Sequence, residues 1–420
     1  MATKKIMTPK ERILAVLNGK PPDHVPLTTW CFGFPAPPHL RWQTDGRDVP
    51  FWYTKRLEHI HTLPHPWDLE DEMKRAEAWL SLGIDDVLEV SVPWSQSPEV
   101  LVKDTVIPAG TPGGDARNPV MVREYQTPAG GLRHAVKRTE PDPPGWVIQP
   151  DHVALFEDLN VPRAVEHLVS RESHVSAIQY VFAPPGPSQC RWFADRMARM
   201  QPFADIKGLP VQAWTAFGMD AAVWMMGAQG AVMTAMDAPQ AFGRLLDTIF
   251  ATDYTRTELA AMHPGVDIVC QRGWYSSTDF WSPRLFDQFV FPYVAQLADL
   301  AHRQHKKFAY VMTTGVERLG PRLADAGVDL LYFLDPIQDR ITLGKARDLL
   351  ADRMTLAGGT NALSLKSGES DRISDEVRRA INLLGPTNRF ILHPVDALFP
   401  DTPWPGVQQM IETWKQCQGL

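Results

Sequence analysis

Polar side chains that can exchange protons or hydrogen-bond a ligand follow three apolar segments in the second half of the chain. Asp335 follows DLLYFL, Asn361 follows MTLAGG, and His393 and Asp396 lie at the end of RFILHP. A carboxylate and a histidine can act as acids or bases near neutral pH. A carboxylate beside an amide can also hydrogen-bond a heterocycle whose edge offers paired donors and an acceptor. We therefore predict that His393 and Asp396 are catalytic and that Asp335 and Asn361 bind a cofactor.

A second candidate group lies in the segment Cys270–Trp281, which reads CQRGWYSSTDFW. Arg272 can bind an anion, and Tyr275 can donate a proton. A glycine and two serines in this segment indicate a loop, and loops often carry function. We predict that Arg272 binds the cofactor and that Tyr275 is catalytic.

The chain has 14 tryptophans, which suggests a cavity with aromatic walls. We predict that three of them contact the substrate: Trp30, Trp214 and Trp274. Core packing is the alternative for these aromatic residues, since most large apolar side chains are buried in cores.

Each polar candidate also has a purely structural interpretation. His393 can be a packed core histidine, and Asp396 and Asp335 can be turn residues. Asn361 can cap a helix. Histidines two positions apart on a helix do not share a face, so we interpret a third group as a solvated helix end and not as a metal site: His59, His61 and His65.

The elements that must position these residues alternate in type. Short apolar strands are each followed by a helical segment, which is typical of a parallel sheet. Eight strand candidates predict a (β/α)8 TIM barrel with its chemistry at the strand ends. An open doubly wound sheet is the alternative, but no G-x-G-x-x-G follows an early strand. The predicted strands are VPLTTWC, DVLEVS, PVQAWTA, DIVCQR, KFAYVM, DLLYFL, MTLAGG and RFILHP.

The first half of the chain contains two helices and an insertion. Thr8 and Glu11 form a capping-box pattern before the first helix, and helical spacing returns from Leu69 to Leu82. Residues of about 100–139 alternate in polarity and predict an inserted antiparallel β-hairpin with Gly130 and Gly131 at its turn. We expect one domain over residues 1–420.

Composition narrows the function classes. The chain has 420 residues, 44% of them hydrophobic, and a formal net charge of -7, which gives little electrostatic support for binding nucleic acid. Four dispersed cysteines indicate neither a disulfide framework nor a zinc ribbon. No secretory signal precedes the first helix, and the longest apolar stretch, residues 221–236, is interrupted by glycines and a glutamine. We expect a cytoplasmic protein with no membrane span.

Three segments resemble the uroporphyrinogen decarboxylase superfamily. Thr8–Leu27 resembles its opening helix, which leads through Gly and Asp into a V-P strand, and Phe280–Pro336 is similar to its S-P-x-x-F helix and A-G-x-D strand. MTLAGGTNALSL and the tail from Leu392 resemble the G-G strand end and D-T-P helix start of the methyltransferase branch. The resemblance implies a (β/α)8 barrel.

Within that superfamily, the resemblance implies three activities. Decarboxylases hold substrate carboxylates with an R-Q-A-G-R segment after the first strand, whereas the segment here reads CFGFPAPPHL, and the next arginine is Arg41. Thiol methyltransferases bind zinc through H-x-C and a later Cys, and the corresponding residues here are Met312, Thr314 and Asp396. A thioether, a hydroxyl and one carboxylate do not form a tight zinc site, so we expect no zinc.

The remaining activity is methyl transfer from a small donor, a halomethane or a methoxy compound. The acceptor implied is tetrahydrofolate or cobalamin on a corrinoid partner protein, and we favour folate because no corrinoid module is evident in the sequence. Such an enzyme is a demethylase or dehalogenase of one-carbon metabolism. A uroporphyrinogen-type decarboxylase and a non-catalytic corrinoid-binding or methyl-carrier protein remain alternatives.

Overall fold

The computed structural model describes residues 6–30, 36–44, 47–49, 69–139, 152–158, 160–399 and 401–420. Cys31 and the three histidines of the predicted helix end lie outside the described residues. The other cysteines are free: Cys190 is half-buried, Cys270 is buried and Cys417 is exposed.

The described strands form three sheets. In chain order they are β1 (Trp42–Thr44), β2 (Arg47–Val49), β3 (Leu88–Ser91), β4 (Leu101–Ile107), β5 (Val120–Thr127), β6 (Gly130–Lys137), β7 (Ala164–Glu166), β8 (Val211–Ala216), β9 (Ile268–Gln271), β10 (Lys307–Val311), β11 (Leu330–Leu334), β12 (Thr355–Asn361) and β13 (Phe390–Val395). The described α-helices are α1 (Pro9–Leu17), α2 (Leu69–Ser81), α3 (Asn160–Arg163), α4 (Val175–Val181), α5 (Pro187–Lys207), α6 (Met219–Asp237), α7 (Pro239–Met262), α8 (Pro283–Phe289), α9 (Phe291–Arg303), α10 (Val316–Asp325), α11 (Leu343–Leu350), α12 (Ala362–Ser367), α13 (Ser370–Leu384) and α14 (Trp404–Gln418).

The largest sheet is parallel and has the order β13-β12-β11-β10-β9-β8-β3. Seven of the eight predicted strands are therefore confirmed. Their residues are buried almost throughout, which explains why they read as continuous apolar runs such as LLYFL and not as alternating patterns. Helices connect the strands, as a parallel sheet requires.

The eighth predicted strand, residues 25–31, is reduced to a single bridge within its described part. Leu27 pairs in parallel with Leu392 of β13. The Thr28 amide donates to the Leu392 carbonyl at 3.1 Å, and the Asp85 amide donates to the Leu27 carbonyl at 2.9 Å. This segment therefore connects β13 to the residues just before β3.

Helix α1 is fixed to this segment by charge. Thr8 and Glu11 form the predicted capping box. Arg12 donates from Nε to Asp23 at 2.6 Å and also pairs with the buried Asp85. These contacts give the Arg, Gly and Asp pattern of the opening segment a structural role, because they join α1 to the edge of the parallel sheet.

Two apolar cores lie on the two sides of the parallel sheet. One core packs the sheet against its helices. The other is enclosed by the sheet and contains aromatic residues such as Trp30, Trp214 and Tyr332, together with apolar residues of α1. The enclosed core lies directly beneath the strand ends where the candidate residues were predicted.

The insertion is a four-stranded antiparallel sheet of order β4-β5-β6-β7. The predicted hairpin is confirmed between β5 and β6, where Thr127 pairs with Gly130. The turn is formed by Pro128 and Ala129, and Gly130 begins β6 with a φ of 123°. The short strand β7 was not predicted.

The apolar stretch at residues 221–236 lies in α6, which is kinked at Gly227. None of the helices in the described ranges is long and apolar enough to cross a membrane.

Candidate active site

A cavity of about 310 Å³ lies at the carboxyl ends of β9, β10 and β13. We call it the strand-end cavity. Four of the nine predicted site residues line it: Arg272, Trp274, Tyr275 and Asp396. They come from two parts of the chain more than a hundred residues apart, because the parallel sheet brings the ends of β9 and β13 to the same edge.

Arg272 is buried and fully engaged by neighbouring groups. Its Nε donates to Asp220 at 3.0 Å, and one terminal nitrogen donates to both oxygens of Asp158 at 3.2 Å. The guanidinium carbon lies 4.5 Å from the centre of the Trp224 ring and 4.2 Å from that of Trp274. Although burial alone lowers the pKa of Arg272, the two carboxylates raise it, so the side chain stays charged. The geometry gives it a structural role within the wall of the cavity.

The sequence analysis missed both carboxylates that hold Arg272. Asp220 lies four residues after β8, in the first turn of α6, so its position after a strand end was a usable signal. Its other oxygen accepts the Tyr275 amide at 2.9 Å, and burial raises the pKa of Asp220 to about 6. Asp158 lies in the segment before α3, where no sequence pattern marks it, and it also accepts the Trp224 indole N–H at 2.8 Å.

Asp396 is held by the aromatic wall of the cavity. Its Oδ1 accepts the Trp274 indole N–H at 3.2 Å. Burial raises the pKa of Asp396 to about 6, so that a modest change in its surroundings would switch its protonation near neutral pH. A carboxyl of this kind can act as an acid or as a base.

Tyr275 follows β9 in a short 3-10 turn and lines the cavity. Burial and the carboxylate of Asp158 raise the pKa of its hydroxyl, which therefore keeps its proton at neutral pH. The ring packs edge-on against Phe280, 5.7 Å away, which also lines the cavity. Tyr275 can thus offer a hydrogen-bond donor or an aromatic face to a ligand.

His393 is placed in the enclosed core and not on the cavity wall. Its ring centre is 5.6 Å from that of Trp30 and 5.6 Å from that of Tyr332, and its Nδ1 lies 2.9 Å from the Thr28 hydroxyl. Burial lowers the pKa of His393 to about 3, so the imidazole is neutral at physiological pH. This geometry matches the packed-histidine interpretation.

Asp335 and Asn361 hydrogen-bond each other at the neighbouring strand ends. The Asn361 amide lies 3.0 Å from each oxygen of Asp335. Asp335 also accepts the amides of Ile337 and Gln338, at 2.7 and 3.0 Å, and Asn361 caps α12. Both structural interpretations, turn and cap, are present, and burial raises the pKa of Asp335. Neither residue is among those that line the strand-end cavity in the described part of the chain.

Of the three predicted substrate-contacting tryptophans, only Trp274 reaches the cavity. Trp214 lies beneath it, with ring planes 17° apart and centres separated by 6.4 Å. The Trp30 ring packs against both, with its centre 4.9 Å from that of Trp214 and 6.0 Å from that of Trp274. Trp30 and Trp214 therefore support the floor under Trp274.

A buried acid, Glu89, lies in β3 beside a cluster of buried charges. Burial and the neighbouring Glu72 raise the pKa of Glu89 to about 8. Arg75 forms two hydrogen bonds of 2.9 Å to Glu72 and also pairs with Asp86. The Arg75 guanidinium thus pairs with two carboxylates, Glu72 and Asp86, and Glu89 keeps its proton at neutral pH.

The three residues at the zinc positions make other contacts. Met312 is fully buried, and the Thr314 hydroxyl donates to Asp279 at 2.6 Å. Asp396 accepts from Trp274. A thioether, a hydroxyl and a single carboxylate do not fit a zinc ion, and no group of three or more His, Cys, Asp or Glu residues placed to hold a metal occurs in the described residues.

Comparisons with known proteins give a family match and similarities to solved structures. A family model described as uroporphyrinogen decarboxylase (URO-D) matches residues 207–417. No curated protein matches the chain. Among solved structures, a methyltransferase from Methanosarcina mazei is 16% identical, with a TM-score of 0.55, and the match covers 98% of this chain and 99% of that one. The 3-keto-D-glucoside 4-epimerase YcjR from E. coli is 10% identical over 55% of this chain and 93% of that one, with a TM-score of 0.32.

Proposed function

Because the chain belongs to the uroporphyrinogen decarboxylase (URO-D) family, we propose that it is a methyltransferase that moves a methyl group from a small donor to tetrahydrofolate or to a corrinoid protein, without zinc. The methyltransferase from Methanosarcina mazei, which shares the fold over nearly the whole of both chains, supports the reaction class. The observation that carries the proposal is the strand-end cavity, in which Asp396, Tyr275 and Trp274 meet.

Methyl transfer is an in-line displacement, so the donor and the acceptor must be aligned and water must be kept from the reacting carbon. The aromatic rings of Trp274, Tyr275 and Phe280 can enclose a donor of a few heavy atoms in about 310 Å³. Asp396 and Tyr275 then provide hydrogen-bonding groups within the same cavity.

The proton requirement depends on the donor. A halomethane releases a halide and needs no acid. A methoxy compound needs a proton on its oxygen, which the neutral Tyr275 phenol or a protonated Asp396 can supply. His393 is the weaker candidate for this role, because burial keeps its imidazole neutral and places it in the core.

For the acceptor, tetrahydrofolate remains our first proposal, with cobalamin on a partner protein as the second. Asp335 and Asn361 are the proposed pterin-binding pair. A pterin would have to use the lone pairs left by the hydrogen bonds within the pair, or displace those bonds. If it binds there, loss of either side chain should weaken binding about tenfold to a hundredfold. Calorimetric titration of tetrahydrofolate into Asp335→Ala and Asn361→Ala measures this, and unchanged affinities would remove both residues from the site.

We also propose that the segment around Leu27 completes an eight-membered (β/α)8 barrel. Its support is the pair of contacts that link Leu27 to Leu392 on one side and to Asp85, just before β3, on the other.

Decarboxylation of uroporphyrinogen is the second candidate because the family model carries that description. A poly-anionic tetrapyrrole needs several free guanidinium groups. The one basic side chain among the residues that line the strand-end cavity in the described ranges is Arg272, and it is held by two carboxylates. The cavity therefore favours methyl transfer.

The test is an assay of methyl transfer from halomethanes and methoxy compounds to tetrahydrofolate and to cob(I)alamin, with uroporphyrinogen as a competing substrate. Asp396→Asn should lower kcat/KM about tenfold or more. The matched control Asp375→Asn changes an exposed carboxylate on α13 and should behave as wild type. Conversion of uroporphyrinogen without methyl transfer would reverse the proposal, and no turnover with any donor would favour a non-catalytic binding protein.

A further inference from the structure

The strand-end cavity carries an excess of negative charge. Three carboxylates line it, those of Asp158, Asp279 and Asp396, against the single guanidinium of Arg272. That guanidinium is already balanced, because its nitrogens donate to Asp220 behind the wall and to Asp158. The charge left facing a ligand is therefore negative.

Two of these carboxylates retain an oxygen for a ligand. Asp396 uses Oδ1 to accept from Trp274, and Asp279 uses Oδ2 to accept from Thr314 and Ser277. Among the described residues, the second oxygen of each has no hydrogen-bond partner. These oxygens would repel an anionic ligand and attract a cation.

The walls between these carboxylates are aromatic. Trp274, Tyr275 and Phe280 all line the cavity. The ring of Trp274 already packs against the Arg272 guanidinium and Trp214, so the rings that remain for a ligand cation are those of Tyr275 and Phe280. The faces of such rings carry negative quadrupole charge and attract cations, and aromatic cages of this type suit cations that have methyl groups in place of N–H donors. A cation without N–H groups also loses less hydration on entering an apolar-walled cavity.

We propose that the methyl donor of this enzyme is an onium cation, in which the transferable methyl group is bound to a positively charged nitrogen or sulfur. This inference rests on the proposed methyltransferase function and replaces the uncharged donors considered above. Asp396 and Asp279 attract the cation, and the aromatic walls contact its methyl groups.

Methyl transfer from an onium donor needs no acid, because the leaving group departs as a neutral molecule. The bond between the methyl carbon and the onium nitrogen or sulfur breaks, and its electron pair leaves with the heteroatom as a neutral amine or sulfide. The new bond forms with an electron pair of the acceptor, which is the secondary amine of tetrahydrofolate or Co(I) of a corrinoid. With folate as acceptor, the amine proton is lost to a base, a role that ionised Asp396 can fill.

Binding can be measured apart from turnover with a matched pair of ligands. Choline and 3,3-dimethylbutan-1-ol have the same shape and differ in charge. Calorimetric titration and quenching of tryptophan fluorescence should show choline binding at least about tenfold more tightly. Trimethylsulfonium, tested in the same way, distinguishes a sulfonium source from an ammonium source.

Two variants test the carboxylates. Asp396→Asn and Asp279→Asn should each weaken choline binding about tenfold while leaving the affinity for the neutral alcohol unchanged. Asp279 is exposed, so we expect Asp279→Asn to have little effect on folding. This variant therefore still tests the proposal if Asp396→Asn fails to fold. Asp375→Asn is the control and should match wild type.

The outcomes separate the inference from the proposed function. Equal affinities for choline and the alcohol, or choline binding unaffected by both variants, would overturn the inference. Methyl transfer from a halomethane without onium binding would overturn it too, while the methyltransferase function stands. Tight binding of choline with no methyl transfer to either acceptor supports cation recognition and counts against the proposed function.

Discussion

Replacing Arg272 by methionine tests the central interaction of the site. The side chain of Asp220 has no exposed area, whereas that of Asp158 is 32% exposed. Removal of the guanidinium therefore leaves Asp220 as a buried carboxylate without its counter-ion, but water can still solvate Asp158. Methionine keeps most of the apolar contact with the indoles of Trp224 and Trp274 that cover the guanidinium.

The expected cost follows from which interaction dominates. Removal of one partner of a buried ion pair typically costs about 3 to 5 kcal/mol. The lost contact of a cation with two indoles adds about 1 to 2 kcal/mol. Partial access of water to Asp158 reduces the total, so we expect the free energy of unfolding to fall by about 4 kcal/mol at pH 7. Asp220→Asn in the same chain should restore part of it, because an amide carries no charge to bury.

The cost should depend on pH with a definite sign. Burial already raises the pKa of Asp220 to about 6, and Arg272 counteracts that effect. Without Arg272 the pKa of folded Asp220 rises further above its value in the unfolded chain. The folded variant then holds a proton that the unfolded chain releases, so its stability falls as pH rises. The difference from wild type should therefore be smaller at pH 5 than at pH 8.

Urea unfolding at pH 5, 6, 7 and 8 measures these free energies. Arg353→Met is the matched control, since Arg353 forms an exposed pair with Asp325 that should contribute about 0 to 1 kcal/mol. A cost below about 1 kcal/mol for Arg272→Met, or a cost that does not change with pH or with Asp220→Asn, would refute the ion-pair account of this wall.

Three further predictions concern the surroundings of the site. In the wild type, the buried Glu89 destabilises the fold increasingly as pH rises from about 4.5 through about 8, because its carboxyl must ionise. Glu89→Gln removes this ionisation, so the variant should be more stable than wild type by up to a few kcal/mol at pH 9 and by little at pH 4. Thermal unfolding across that pH range measures the difference. Gly273→Ala should lower the free energy of unfolding by about 1 to 3 kcal/mol in chemical denaturation, because a Cβ there would lie 2.5 Å from the buried ring of Tyr310. The control Gly243→Ala, where a Cβ on α7 would point into open space, should be neutral or stabilising. Asp335→Ala should cost about 1 to 3 kcal/mol because it leaves two backbone amides and the Asn361 amide without their acceptor; an unchanged melting temperature would contradict this.

The parallel sheet could be predicted from the sequence because buried parallel strands and amphipathic helices have different patterns of apolar residues. DLLYFL became β11, and the Thr8 and Glu11 pattern became an observed capping box. The segment at Leu27 was read as a strand from its apolar character, but in the described part only one bridge forms. Apolar character reports burial, whereas strand pairing also depends on neighbours that are distant in sequence.

The site was harder to predict because its charges are balanced across distant segments. Arg272 was identified as an anion-binding candidate, yet Asp158 and Asp220 already occupy its donors. No local pattern reveals that a residue more than one hundred positions away will supply a counter-ion. Trp30 and Trp214 were predicted to contact the substrate together with Trp274, but of the three only Trp274 is among the residues that line the cavity.

That distance from the strand end separates the residues that face the cavity from those that fill the core. Arg272 and Asp396 are each the first residue after a strand, β9 and β13, and both line the cavity. His393 lies within β13, where side chains on the enclosed side belong to the core. Asp335 is also the first residue after its strand, but the amides that follow it turn its carboxylate back onto the chain. A position just past a strand is therefore not sufficient by itself, because the carboxylate of Asp335 faces the following turn and caps its amides.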